Sequence, residues 1–269
     1  MKKIFALLFT FLVMFATNAT AKDVSTYLVG DYVDVETVKN KLTTAGYEIV
    51  ASYESVKDGV TIVFTNSALK SEAAKPGRAH AAVLRLFVDA QEKKISLTNP
   101  LYFGKAFMQD DYNETVFNTQ FEILNTAFAG LQGSVDKMDD ESLSGYHFMM
   151  GMPYYGDVDE LGSGETADLV QKVNSYKDGK FTLFTLKIND EKYLVGYDLD
   201  NRTKKFVEKI GRANAAVLPY CIAIENKKAT AMEAKYYLAV SYPLLTMTEF
   251  TTIATVPGAI SKHLEKPFK

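Results

Sequence analysis

Few side chains in this sequence are of the kinds that do chemistry, and two groups of them stand out. The first is a matched pair. "KPGRAHAAVL" runs from Lys75 to Leu84 and "KIGRANAAVL" from Lys209 to Leu218, identical at eight of ten positions. Two of the four arginines in the chain, Arg78 and Arg212, fill one slot of the two copies, and His80 or Asn214 follows two positions on. A guanidinium presents a rigid fork of donors that fits carboxylate or phosphate. Arg78, His80, Arg212 and Asn214 are therefore candidate ligand-binding residues, with the matched aromatics Tyr102 and Tyr236 as apolar walls. The same residues have structural uses. An arginine can serve the carbonyls at a preceding helix end, and most buried polar groups belong to hydrogen-bond networks.

The second group lies in "GYHFMMGMPYY" (Gly145–Tyr155). His147, Met149, Met150 and Met152 are soft donors of the kind that select Cu(I). Alignment of the two halves sets this stretch against "YLVGDY", which reads as a strand. On a strand, His147 and Met149 share one face while Met150 and Met152 share the other, so one face holds at most two donors. Methionine as filler of irregular core gaps is the competing use. Cys221 falls in an apolar run, where a thiol behaves as a small hydrophobe and its thiolate is disfavoured. His147, Met149 and Cys221 together define an alternative, a copper- or redox-handling accessory protein. The leading expectation carries no metal and no cofactor.

Catalytic patterns are missing. The three histidines are His80, His147 and His263, and neither a G-x-S-x-G elbow nor an H-E-x-x-H helix occurs. "GSGETA" (Gly162–Ala167) fits a dinucleotide-loop variant, but the acidic "DVDEL" before it does not read as a buried strand. A flexible loop ahead of a helix capped near Thr166 is expected there. The chain reads as a non-catalytic protein.

Elements that would position these residues repeat. The decapeptides lie 134 positions apart, Gly77 to Gly211. Each follows a β-rich run, a polar cap and a short helix, with Asn201 as an N-cap in the second copy. Gly77 and Gly211 sit where a helix C′ residue takes positive φ. Downstream, "AAVLRLFVDA" and "AAVLPYCIAI" read as buried strands, and each passes through a Lys-Lys turn into a second strand, "ISLTN" or "ATAME". Phe117, Phe121, Leu124, Phe128 and Leu131 recur at helical spacing, and Pro257-Gly258 is expected to bend the last segment. The expected fold is α+β: two duplicated units, each a small mainly antiparallel sheet packed with helices. The first spans residues 22–131 and the second 146–269, with polar "QGSVDKMDDESLSG" (132–145) as linker.

This order of elements, with "LPYCIAIENKK" in the second half, resembles the "domain of unknown function 302" family. Members often carry Pro-Cys just before the corresponding strand, and tandem copies occur in exported bacterial proteins. Here Tyr220 separates Pro219 from Cys221, and the first half has Arg85-Leu86-Phe87. The resemblance implies an α+β fold and no established activity.

The ends and the charge narrow the setting. Lys2 and Lys3, the apolar run Ile4–Ala16 and "ATA" (Ala19–Ala21) form a signal-peptide pattern, with cleavage expected near Ala21. Loss of Lys2 and Lys3 takes the formal charge from −3 to −5. A mildly acidic surface offers no footprint for nucleic acid, and no second segment is apolar enough to span a membrane. With one cysteine there is no intramolecular disulfide, so the core must hold the fold. The expectation is a periplasmic or secreted protein that binds a small or amphipathic (lipid-like) ligand, or a protein partner, between its repeats.

Overall fold

The computed structural model describes residues 22–269; the expected signal peptide, 1–21, lies outside the described residues. The first half runs β1 (Asp23–Ser25), β2 (Tyr27–Asp31), α1 (Val35–Thr44), β3 (Glu48–Val56), β4 (Gly59–Thr65), α2 (Ser67–Ala73), β5 (Leu84–Asp89), β6 (Lys94–Thr98), α3 (Pro100–Met108) and α4 (Glu114–Ala127). Its four helices start where polar residues allow. Asp34, Asn66, Asn99 and Asn113 each accept a backbone N–H from the first turn. Then come β7 (Gln132–Gly133) and β8 (Lys137–Asp139). The second half runs β9 (Val158–Ser163), α5 (Thr166–Ser175), β10 (Thr182–Asn189), β11 (Lys192–Tyr197), α6 (Asn201–Lys204), α7 (Phe206–Ile210), β12 (Tyr220–Glu225), β13 (Lys228–Met232), α8 (Ala234–Ser241), α9 (Met247–Thr252) and α10 (Val256–Glu265).

Most strands form two separate antiparallel sheets, ordered β3-β4-β5-β6-β2-β7 and β10-β11-β12-β13-β9, and β1 and β8 form a third, two-stranded one. Apart from β7 the two orders correspond strand for strand, and the protein is α+β. The Lys-Lys hairpin of the second sheet closes through Asn226 (φ 52°) and Lys227 (φ 60°), the two positive φ values a tight hairpin turn requires. Segment 132–145 is built in rather than free. β7 pairs with β2, β8 pairs with β1, and Asp140–Gly145 forms a 3-10 turn.

Several local expectations change. The second sheet takes its edge strand from Val158–Ser163, and Tyr146–Asp157 is turn and loop. Gly151 (φ 83°) reverses the chain and Pro153 has no N–H to give a ladder. The acidic "DVDEL" supplies most of this edge strand, which is not a buried one, and Gly162 lies in it rather than in a loop. Asp200, not Asn201, caps α6, accepting from the Thr203 N–H. Pro257 sits in the first turn of α10, where a missing N–H costs nothing; the chain bends earlier, at Ile253–Thr255.

One contiguous core runs through both halves. Tyr27, Phe64, Phe87 and Phe117 of the first pack in the same cluster as Tyr197, Phe206, Tyr220 and Tyr237 of the second. A smaller cluster joins Val63, Ala79 and Val83 to Phe184, Leu186, Leu194 and Cys221. Among the described residues no helix is long and apolar enough to cross a membrane.

Candidate functional site

The decapeptides meet across the two units. Each contains a short 3-10 turn, Ala79–Ala82 or Arg212–Val217, and each turn packs on the opposite sheet. The first touches β11 and β12, the second β5 and β6. The glycines differ. Gly211 follows α7 directly and its N–H reaches the Val207 carbonyl at 3.0 Å. Gly77 lies beyond the end of α2, in a turn closed by the Arg78 N–H on the Lys75 carbonyl (3.1 Å) with Pro76 at its first corner.

Neither arginine serves the carbonyls of its preceding helix. Arg78 Nε donates to Asp111 Oδ2 at 2.9 Å, and its guanidinium lies 5.5 Å from the centre of the Tyr155 ring. Arg212 forks onto Asp89, Nε to Oδ2 at 2.9 Å and a terminal nitrogen to Oδ1 at 3.0 Å, and also reaches the Lys57 carbonyl at 2.6 Å. The helix-end cation belongs instead to Lys192 of the second unit. Its Nζ donates to the carbonyls of Ala73, Ala74 and Lys75 (3.3, 3.2 and 2.6 Å) and pairs with Glu225 at 2.7 Å.

Tyr102 and Tyr236 form a reciprocal lock. Tyr102 Oη donates to the Val240 carbonyl at 2.9 Å, and Tyr236 Oη donates to the Ala106 carbonyl at 3.2 Å. Donors and acceptors are both related by the decapeptide offset, so this one contact is reciprocal between the halves. Asn214 donates to Asp136 (2.6 Å) and to the Ser241 carbonyl (2.9 Å). His80 has no hydrogen-bond partner on either ring nitrogen and is fully enclosed, which with nearby Arg85 lowers its pKa to about 3. The six candidate residues thus lie at or beside the contact between units, engaged with protein groups or, for His80, enclosed in the core.

Arg85 is the residue sequence reasoning passed over. It is 3% exposed in β5, and a terminal nitrogen lies 3.2 Å from Cys221 Sγ and 3.5 Å from the Pro219 carbonyl. No carboxylate pairs with it among the described residues. Its signal was present: an arginine inside "VLRLFV" has apolar neighbours on both faces of its strand. Burial raises the Cys221 thiol pKa and Arg85 only partly opposes it, so the sulfur is protonated at neutral pH.

A recess of about 200 Å³ opens beside Asn214, lined also by Asp136, Gly211, Tyr242 and Glu249; larger openings lie elsewhere. A cleft of about 320 Å³ separates the end of β3 from α6 and α7, lined by Glu54, Lys57, Lys204, Lys205 and Glu208. Lys204 pairs with Asp198 at 3.0 Å and lies over the Tyr53 ring; burial raises the Asp198 pKa against that pairing. A wider groove runs between α1 and α4 over Lys41, Ala45, Ile123 and Ala127, within the first unit. Among the described residues no group of three or more His, Cys, Asp or Glu side chains is placed to hold a metal ion. Comparison with family models, with curated proteins and with solved structures returns no match to this chain.

Proposed function

We propose that this is an exported, periplasmic, non-catalytic binding protein of two duplicated units, and that its ligand is a small zwitterion such as an amino acid or short peptide. The resemblance to the "domain of unknown function 302" family is part of this reading. The cleft between the units carries it: Glu54 and Lys57 at the end of β3 and Lys204, Lys205 and Glu208 along α6 and α7 line one recess, so each wall bears both charges. Lys57 and Lys205 have no carboxylate partner among the described residues, so a ligand carboxylate can take that role. The glutamates then suit an ammonium group, and a volume near 300 Å³ fits a small molecule.

Native mass spectrometry of protein purified from its own periplasm, followed by calorimetric titration with amino acids and dipeptides, tests the idea. A bound zwitterion whose affinity falls in Lys205→Glu and Glu208→Lys is the expected outcome. Binding unmoved by either substitution, or no binding across the panel, overturns it.

A further inference from the structure

The methionine segment is a loop rather than a strand, and this removes the geometry that kept its donors apart. Met152 N–H donates to the Met149 carbonyl at 2.9 Å, closing a turn around Met150 and Gly151. Such a turn brings the first and fourth Cα atoms within about 7 Å. Three thioethers therefore stand in four positions on one tight bend. Met149 and Met150 are not core filler, being 42% and 95% exposed, and Met152 is half-buried beside them. The His147 ring packs on Tyr154, centroids 4.4 Å apart, which holds the imidazole beside the bend. Phe148 packs on Phe250 of α9 at 6.0 Å and anchors the loop. Met247 lies three positions before Phe250, on the same helix face, and is itself exposed.

We propose that this bend binds a soft monovalent cation, Cu(I), through the His147 imidazole and the thioethers of Met149 and Met152. Thioether and neutral imidazole match Cu(I), whereas Mg²⁺ and Ca²⁺ require oxygen donors that the three ligands do not supply. The segment lies apart from the charged cleft, so the proposal stands or falls independently of the zwitterion reading.

The test uses the purified protein with Cu(I) held by a chromophoric chelator under anaerobic conditions, and Ag(I) as a redox-inert substitute. One equivalent should be withdrawn from the chelator. Met149→Leu with Met152→Leu should weaken binding at least about tenfold, because even loss of a group that only orients a ligand costs about 10–100-fold at metal sites. These swaps conserve volume, so circular dichroism should be unchanged. Cys221→Ser should bind as the wild type does. As a second readout, Ag(I) should move the ¹³C-methyl NMR signals of Met149 and Met152 and leave buried Met108 still. No withdrawal by the wild-type protein, or signals that move only around Cys221, overturns the site.

Discussion

At the first joint the second unit delivers a cation to bare backbone: Lys192 reaches three carbonyls at the end of α2. At the second joint the cation sits on the joint itself, and the first unit delivers the carboxylate, Asp89, to Arg212. The reason lies in how each helix ends. α7 stops on Gly211, whose N–H bonds within the helix and whose carbonyl accepts from Tyr242 Oη at 3.1 Å. α2 stops short of its glycine and leaves carbonyls open for Lys192. Two decapeptides of nearly one sequence therefore use different charge arrangements, Lys192 with Glu225 on the first and Asp89 on the second, and the way each preceding helix ends decides which.

The largest effect should come from Asp89→Ala. Asp89 and Arg212 have side chains only 4% and 11% exposed, so removal of the carboxylate leaves a guanidinium enclosed without its counter-charge. Loss of one partner of a buried pair costs about 3–5 kcal/mol. Urea unfolding should show this, and Arg212→Ala should recover part of it in the double variant. A loss below about 1 kcal/mol would place the pair with surface ion pairs and break the contrast drawn above.

The matched slot at 80 and 214 sharpens the comparison through pH. Asn214 is satisfied by two acceptors, whereas His80 is enclosed beside Arg85 with no partner. Its pKa falls from 6.5 to about 3, chiefly by desolvation. Between those values the unfolded chain binds a proton that the folded one refuses, so stability rises with pH. The stability is full above about pH 6.5 and is lost progressively down to about pH 3. At pH 5 the loss is roughly 2 kcal/mol. Buried His263, whose pKa is also lowered by desolvation, adds in the same direction. His80→Asn should therefore remove most of the slope but not all of it. An unchanged slope of unfolding free energy between pH 5 and 8 would show that His80 is not the group responsible.

The contrast between joints also separates what the sequence could say from what it could not. The hairpins, the α4 stripe and the two strands after each decapeptide are local or periodic features, and they were legible. Phe117 and Leu124 are buried on one face of α4, as their spacing requires, but the helix ends at Ala127, so Phe128 only caps it and Leu131 lies beyond it. The use of Arg78 and Arg212 was not legible, because Asp111 and Asp89 lie 33 and 123 residues from them and only the packing of the units brings Asp89 to Arg212. Alignment with "YLVGDY" placed an opening strand at Phe148-Met149, where the local stops Gly151 and Pro153 instead make turn and loop. The open cleft drew on charged residues at a hairpin end and a helix start, where one sequence carries no periodic signal.

The smallest effect compares the glycines themselves. Gly77 has φ 70° and nothing within 4 Å of an added Cβ, so Gly77→Ala carries only the cost of a left-handed alanine, about 1 kcal/mol. Gly211 has φ 140° and ψ 101°, outside the left-handed helical well that other residues visit. An added Cβ there also lies 3.3 Å from a ring carbon of Tyr242, closer than ordinary contact. Movement of that ring would strain the Tyr242 Oη bond to the Gly211 carbonyl, which is part of what leaves Arg212 free for Asp89. Gly211→Ala should therefore cost about 2 kcal/mol, roughly twice the Gly77→Ala loss, in paired thermal and urea unfolding. Equal costs at the two positions would mean that the joints share one backbone strategy, and the different charge arrangements would then need another cause.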